Sequence, residues 1–286
     1  MRIIRALLVE LSLQRRSLCV KLAIITVLAV AFDMRFAFLA QASGASPTSL
    51  TWGDYLANML AGIREYVFAP EQMQSVNKFS LPAAWTLLYC GICFVSLTDP
   101  KRELFGVESH LMVACGARGT WWVVRFMASF VCVGASWATL CSATAAWTCI
   151  SGGALSLEVT ELAANLLKTT AEVFLRPPWP LLELFGVAFL ATLSLSAVQL
   201  LVSLILGPAV AFAVSASALF LSAFFLRSWL VGNYLMAARS SSFAELEGGS
   251  VDPVDGMILS GALLLGSFIG GLLVAKRLDS VGRRRV

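Results

Sequence analysis

The chain has 286 residues, of which 58% are hydrophobic and 13% are charged, and its mean hydropathy is +0.82. Soluble domains carry about 25% charged residues, so this composition excludes an ordinary soluble protein. Several apolar runs reach the ~20 residues that cross a hydrocarbon core as a helix. The net charge of +4 is modest and gives no indication of nucleic-acid binding. The sequence therefore predicts an all-α integral membrane protein.

The first 21 residues have the pattern of an amphipathic helix. Apolar residues recur at helical spacing, and arginines provide basic anchors at positions 2, 5, 15 and 16. Such a segment can lie in the headgroup plane of an anionic cytoplasmic leaflet before the chain turns inward. We therefore predict an N-terminal interfacial helix over residues 1–21.

The whole chain, residues 1–286, is interpreted as one transmembrane domain. Gly207-Pro208 divides an apolar run of about 45 residues, about 68 Å as a helix, which is too long for one crossing. Polar, partly helical segments at 41–80 and 151–180 are predicted to lie outside, and 231–256 is predicted to be a polar loop. Six spans are predicted, at 22–40, 81–98, 122–144, 181–206, 209–230 and 257–275.

The first span also has features of a signal peptide. Ala40-Gln41-Ala42 resembles a cleavage site after a basic start. Asp33 and Arg35 separate the apolar centre from that site, which favours an uncleaved span, and cleavage stays the alternative. We expect both charges near the outer interface, where they could pair or extend toward water, and a buried functional pair is the alternative.

The distribution of basic residues predicts the orientation. Fourteen of the 21 lysines and arginines lie in the N-terminal segment, the central stretch and the C-terminal tail. Because cytoplasmic loops are enriched in these residues, both termini and the central stretch are predicted to be cytoplasmic. Six crossings satisfy this arrangement in a multi-pass protein of the cytoplasmic membrane.

The sequence contains no recognisable catalytic constellation. It lacks a GxSxG, an HExxH and a phosphate-binding GxxxxGK[ST], and its one histidine is His110. We therefore predict no enzyme activity, no catalytic or metal-binding residue and no cofactor on this chain. Gln199 is expected to cross-link helices, and the glycines of the last span are expected to allow close helix packing, with pore lining second. These glycines are Gly261, Gly266, Gly270 and Gly271.

A charged stretch at 97–130 interrupts the apolar pattern. Within residues 99–120, a helix would place Leu104, Val107, Leu111 and Ala114 on one face. Arg102, Glu103 and His110 would form a charged ridge on the other. Glu108 falls inside the apolar arc, so it would either pair with Arg118 or Arg125 or extend into the headgroups.

This arrangement resembles the permease subunits of type-2 ABC exporters. The likeness is carried by an acidic residue (Glu103 or Glu108), the turn Gly116-Ala117-Arg118-Gly119, then Trp121-Trp122 and Arg125. The resemblance implies a short cytoplasmic coupling helix between spans two and three that docks on a separate ATP-binding subunit, where ATP would be bound and hydrolysed. It further implies a second permease chain, identical or similar, in the same bilayer. The coupling residues would be Arg102, Glu103, Glu108, His110, Gly116, Ala117, Arg118 and Gly119, and the membrane re-entry anchors Trp121, Trp122 and Arg125.

Two other interpretations remain open. The central stretch could be a solvated loop whose charges only follow the positive-inside rule, in a non-transporting immunity, sensor or assembly protein. An intramembrane enzyme with an unrecognised site is a third interpretation, which the scarcity of acidic residues and histidine in the spans disfavours. A neighbouring reading frame that encodes an ATP-binding subunit would favour the permease interpretation.

Overall fold

The computed structural model of the protein describes residues 2–63, 81–98, 115–166, 182–241 and 250–282. These residues form an all-helical bundle with two isolated β-bridges and no β-strand. A π-helical turn, Leu182–Val187, leads into the sixth helix. Short 3-10 helices cover Pro47–Ser49, Val231–Leu235 and Ala237–Arg239. The α-helices are α1 (Arg2–Ala42), α2 (Trp52–Leu60), α3 (Ala83–Ser96), α4 (Arg118–Ser151), α5 (Glu161–Leu166), α6 (Ala188–Leu206), α7 (Pro208–Phe224) and α8 (Pro253–Gly282).

Four helical stretches are apolar and long enough to cross a membrane: Ile3–Ala42, Arg118–Ser151, Phe185–Leu206 and Pro253–Arg277. Helices α3 and α7 are also apolar but have only 14 and 17 residues. Their lengths are therefore about 21 and 26 Å, below the ~30 Å of a hydrocarbon core. Each predicted span overlaps one of these six helices. Crossing by α3 and α7 stays a prediction.

Contacts at both ends of the bundle show that α1 and α4 run parallel. Near their starts, Glu10 of α1 contacts Arg125 of α4. Beyond the end of α1, Trp52 Nε1 donates to Thr144 Oγ1 late in α4, at 2.9 Å. We call the end that holds Glu10 and Arg125 the terminal end, and the end that holds Trp52 and Thr144 the far end.

The other long helices alternate in direction. Helix α3 runs against α1, because Lys21 contacts the end of α3 whereas Ile25 and Leu28 lie beside Gly91. Helix α6 ends beside the end of α3, and Gly207 with φ +101° reverses the chain into α7. Helix α8 finishes beside the start of α4. The first and last helices therefore have their free ends at the terminal end.

Helix α1 is continuous through the predicted boundary at residues 21 and 22. The prediction of a separate interfacial helix that turns into the first span is therefore wrong for this structure. The sequence between Arg2 and Ala42 contains neither glycine nor proline, the residues that most readily end a helix. Its 41 residues extend about 61 Å, twice the thickness of a hydrocarbon core.

The predicted fifth span is too long, because α7 ends at Phe224 and the chain then folds back into the bundle. Residues 231–239 are buried, although the sequence pattern suggested a polar loop. Arg239, the charged residue of this segment, is 1% exposed. Its guanidinium donates to the carbonyl oxygens of Ala223 (2.9 Å) and Ile63 (2.7 Å) and to that of Ser222. A cation at the carbonyl end of α7 satisfies backbone acceptors that have no partner within the helix.

The far end is closed by α2 and the chain that precedes α5. Thr51 and Asp54 form a capping box at the start of α2. Asp54 also accepts hydrogen bonds from the backbone N–H (2.7 Å) and hydroxyl (3.0 Å) of Thr160. Gly53 N donates to Ser156 O at 2.8 Å. The segment before α3 and the segment after α4 therefore pack on each other.

The main core lies between α1, α3, α4 and α6. Trp85 and Tyr89 of α3 are almost fully buried; their rings pack on each other, and Tyr89 also packs against Trp137 of α4. Trp85 also donates its indole N–H to Leu235 O at 3.0 Å, which ties the inward-folded chain after α7 to α3. Aromatic side chains of this size fill the space between helices and contribute much of the packing energy.

Candidate functional site

The predicted coupling residues fall into two groups. Arg102, Glu103, Glu108 and His110 lie outside the described residues. The other four are described and lie at the terminal end: Gly116 and Ala117 precede α4, and Arg118 and Gly119 are its first two residues. The predicted anchors follow within two turns of the same helix and are Trp121, Trp122 and Arg125.

Of the predicted turn at 116–119, Gly116 and Ala117 are non-helical and Arg118 and Gly119 already belong to α4. Gly116 has φ +69° and open space around it, so its glycine is required by the backbone conformation and not by a neighbour. Ala117 is extended and directly precedes the first helical residue, Arg118. Gly116 and Ala117 are both exposed. The turn therefore presents backbone to the surface at the terminal end, where a partner could reach it.

Trp121 and Trp122 do not occupy the position expected of anchors at a membrane surface. They are only 2% and 0% exposed. Trp122 donates its indole N–H to Phe268 O of α8 at 3.0 Å, and its ring lies against Gly271. A Cβ at Gly271 would come within 1.9 Å of that ring. The two tryptophans hold α4 to its neighbours inside the bundle.

Arg125 is also buried, and its partner is Glu10 of α1. The two side chains form an ion pair in which each is 1% exposed. Gln14 donates to the same carboxylate oxygen from one turn further along α1. The sequence pattern indicated Arg125 as a candidate partner for Glu108, and Glu10 was missed. A usable signal was present, because Glu10 continues the apolar positions Ile3 and Leu7 at helical spacing.

A second cationic contact joins α1 to the end of α3. Lys21 Nζ donates to Val95 O at 3.0 Å and to Leu97 O at 2.9 Å. The last carbonyl groups of a helix have no partner within the helix and carry partial negative charge, so a lysine there is favourable. The sequence placed Lys21 among basic residues at the headgroups and did not predict this contact.

Helix α6 holds the same end of α3 from the other side. Gln199 Nε2 donates to Cys93 O at 2.7 Å, so its predicted role as a helix cross-link is confirmed. Ser203 Oγ donates to Thr98 O at 2.7 Å. Thr98 is the last described residue before residue 115. The chain that enters the central stretch is therefore fixed between α1 and α6.

These contacts define one structural unit, which we call the α1 clamp: Glu10 with Arg125, and Lys21 with the carbonyls of Val95 and Leu97. The first contact holds the helix that follows residues 99–114, and the second holds the helix that precedes them. Glu10 and Lys21 are 11 residues apart on α1, about 17 Å. Both flanks of the central stretch therefore contact the same helix, α1.

The described residues hold no cluster of metal-ligating side chains at this end. Among them, no group of three His, Cys, Asp or Glu side chains could hold a metal ion. The seven cysteines, all within the described ranges, are unpaired, and Cys90 and Cys93 lie one turn apart on α3. Burial raises the pKa of the Cys115 thiol, Glu10 adds to that effect, and Arg125 opposes it, so this thiol is a weaker nucleophile than a free cysteine.

The described chain is thus an all-helical bundle with helices of membrane-spanning length and a clamp at its terminal end. Comparison with models of protein families, with curated proteins and with solved structures finds no match for it.

Proposed function

We propose that this chain is the membrane-spanning permease subunit of an ATP-driven ABC transporter that works as an exporter. The segment at 99–120 receives the movement of a separate ATP-binding subunit, and ATP is hydrolysed on that subunit. A second permease chain, identical or similar, completes the transport unit. Both termini and the coupling segment face the cytoplasm.

The observation that carries this proposal is the α1 clamp. A solvated loop needs no fixed attachment at its two ends, whereas a segment that transmits force needs both flanks held by rigid elements. Lys21 holds the flank before the segment and Glu10 holds the flank after it. The pair between Glu10 and Arg125 is buried, so removal of one partner leaves an uncompensated charge that costs about 3–5 kcal/mol.

The distribution of charge at the terminal end supports the orientation. Helix α1 begins there and α8 ends there, and both carry clusters of basic residues. Basic clusters of this kind face an anionic cytoplasmic leaflet. The exposed turn at Gly116 and Ala117 then lies on the side where ATP is available.

The test is association with an ATP-binding subunit encoded by a neighbouring reading frame. The two chains are co-expressed and co-purified, and ATPase stimulation is measured for wild type, Glu108→Lys and Arg118→Glu. Arg15→Glu makes the same charge change as Arg118→Glu at an exposed position of α1 and is the matched control. We expect at least a tenfold loss of association in the first two variants, which corresponds to about 1.4 kcal/mol, and wild-type association in the control.

Unchanged association and unchanged stimulation in both coupling variants would contradict coupling through this segment. The absence of an ATP-binding subunit from the neighbouring frames, together with purification as a chain that stimulates no ATPase, would favour the non-transporting membrane module.

A further inference from the structure

Asp33 differs from the other buried aspartate, glutamate and arginine side chains, because its carboxyl group has no hydrogen-bond partner within the described ranges. Among the described residues, five aspartate, glutamate or arginine side chains are buried. Glu10 and Arg125 form an ion pair, Arg239 donates to backbone carbonyls, and Asp54 accepts hydrogen bonds from Thr51 and Thr160. Asp33 is 0% exposed, and neither of its carboxyl oxygens has a hydrogen-bond partner in the described structure.

No described basic side chain compensates for this carboxyl group. Arg35 follows two residues later on α1 and is exposed, because residues two apart point to different sides of a helix. Arg125 is engaged by Glu10, which precedes Asp33 by 23 residues on the same helix, about 35 Å. An ionised carboxylate in this position would lack both water and a counter-charge, which costs several kcal/mol.

Tyr55 of α2 packs over the part of α1 that carries Asp33. Burial raises the pKa of the Tyr55 hydroxyl, and hydrogen bonding to Ser151 and Trp147 opposes this effect. The Tyr55 ring packs edge-on against Phe36, one turn after Asp33, with centroids 6.0 Å apart. Asp33 thus lies beneath the contact between α1 and α2 at the far end.

The remaining ionisable groups of that half of the bundle supply no positive charge. On the described elements packed against the far half of α1 they are Asp54, Tyr55, Tyr89, Cys141, Cys149 and Glu161. Each is neutral or acidic. An ionised Asp33 would therefore meet no cation on these described elements, whereas a protonated carboxyl group needs no counter-ion.

We propose that Asp33 is a proton-binding site at the far end of the bundle. Its carboxyl group holds a proton while α2 is packed on α1, and exchanges that proton with water when the contact between Phe36 and Tyr55 opens. The exchange adds or removes one proton at a carboxyl oxygen and forms or breaks no other bond. The proton-loaded state is the packed state, so proton binding and closure of the far end favour each other. This inference does not depend on coupling to an ATP-binding subunit.

The test is infrared spectroscopy of the full chain in lipid nanodiscs at neutral pH. A protonated carboxyl group has a C=O stretch separate from that of a carboxylate, and the band shifts in heavy water. We compare wild type with Asp33→Asn and with Asp255→Asn, which makes the same change at an exposed position. We expect a protonated-carboxyl band that disappears in Asp33→Asn and persists in Asp255→Asn. A difference spectrum without such a band would overturn the proposal.

A second measurement separates a proton from a metal cation and from a purely structural role. Thermal stability is followed against pH and against added Na⁺, K⁺ and Mg²⁺ for wild type, Asp33→Asn and Asp33→Leu. We expect the stability of wild type to fall as pH rises. We expect both variants to fold and to show no such fall. Stabilisation of wild type alone by one of the cations would assign the site to that ion. Failure of both neutral variants to fold would identify a structural carboxylate. Either outcome would refute the proton-binding site.

Discussion

Trp122 shows how much a single side chain determines at the terminal end. It is fully buried, donates to α8 and lies directly on Gly271. The sequence indicated that the glycines of the last span allow close packing, and for Gly271 the structure has that contact. A Cβ added at Gly261 or Gly266 would meet no atom within 4 Å. The sequence pattern could not distinguish these glycines, because they differ only in the side chain of the neighbouring helix that each one faces.

Substitution of Gly271 should therefore destabilise the protein more than substitution of a glycine in open space. We expect Gly271→Ala to lose about 1–3 kcal/mol, because the Trp122 ring must move. Gly266→Ala is the matched control and should be neutral or gain up to about 1 kcal/mol, since alanine favours a helix. Thermal unfolding in detergent compares the two. Equal effects would show that the Trp122 contact contributes little.

Asp33, Glu10 and Arg239 illustrate the limit of sequence reasoning at this scale. Asp33 was expected at the outer interface and Arg239 in a polar loop, but both are buried. Hydropathy shows that a charged residue lies within an apolar segment, but it does not identify the residue or atom that the charge contacts. The partners of Arg239 are mainly backbone carbonyls, which leave no trace in the identity of the residues that carry them.

At the scale of elements, the apolar helices were predicted better than their ends. The six apolar runs coincide with α1, α3, α4, the π-helical turn with α6, α7 and α8, because runs of this length have few other ways to satisfy their backbone. The break at 21/22 was wrong, since a change from amphipathic to apolar character does not interrupt helical hydrogen bonding. The extension of the fifth span to residue 230 was also wrong, because Arg239 and the end of α7 meet only in three dimensions.

The contact between α1 and α4 should behave as a coupled pair. We expect Glu10→Gln and Arg125→Met each to lose about 3–5 kcal/mol, because each leaves a buried charge without its partner. The double variant Glu10→Gln with Arg125→Met should lose much less than the sum of the single variants. Unfolding of the four proteins under the same conditions gives the interaction energy. Additive losses would contradict a direct interaction between these side chains.

At the scale of the whole molecule, the described helices run in alternating directions along the bundle. Helices α1 and α4 start at the same end, so the chain between them must return along the bundle, and α3 is the described helix that does so. The sequence predicted this alternation from the number of basic residues on each side. It did not predict that α7 would end at Phe224, because mostly apolar residues continue to Leu230.

Cysteine labelling can test the orientation. In a variant without native cysteines, Ser43→Cys lies just after α1, and Ser280→Cys lies in the basic tail. We expect an impermeant thiol reagent added to intact cells to label the first cysteine and to label the second only after the membrane is opened. The opposite pattern would invert the predicted topology. Labelling of both positions in intact cells would place the two ends of the bundle on the same side.

The unbroken course of α1 has a mechanical consequence. A helix about 61 Å long that carries Glu10 near its start, Lys21 at its middle and Asp33 and Phe36 in its far half can act as a lever. A tilt of about 5° about one end would displace the opposite tip by about 5 Å, the rise of one helical turn. A change in the flanks of the central stretch would then reach the contact over Asp33 by rotation of one body, without a relay of side chains.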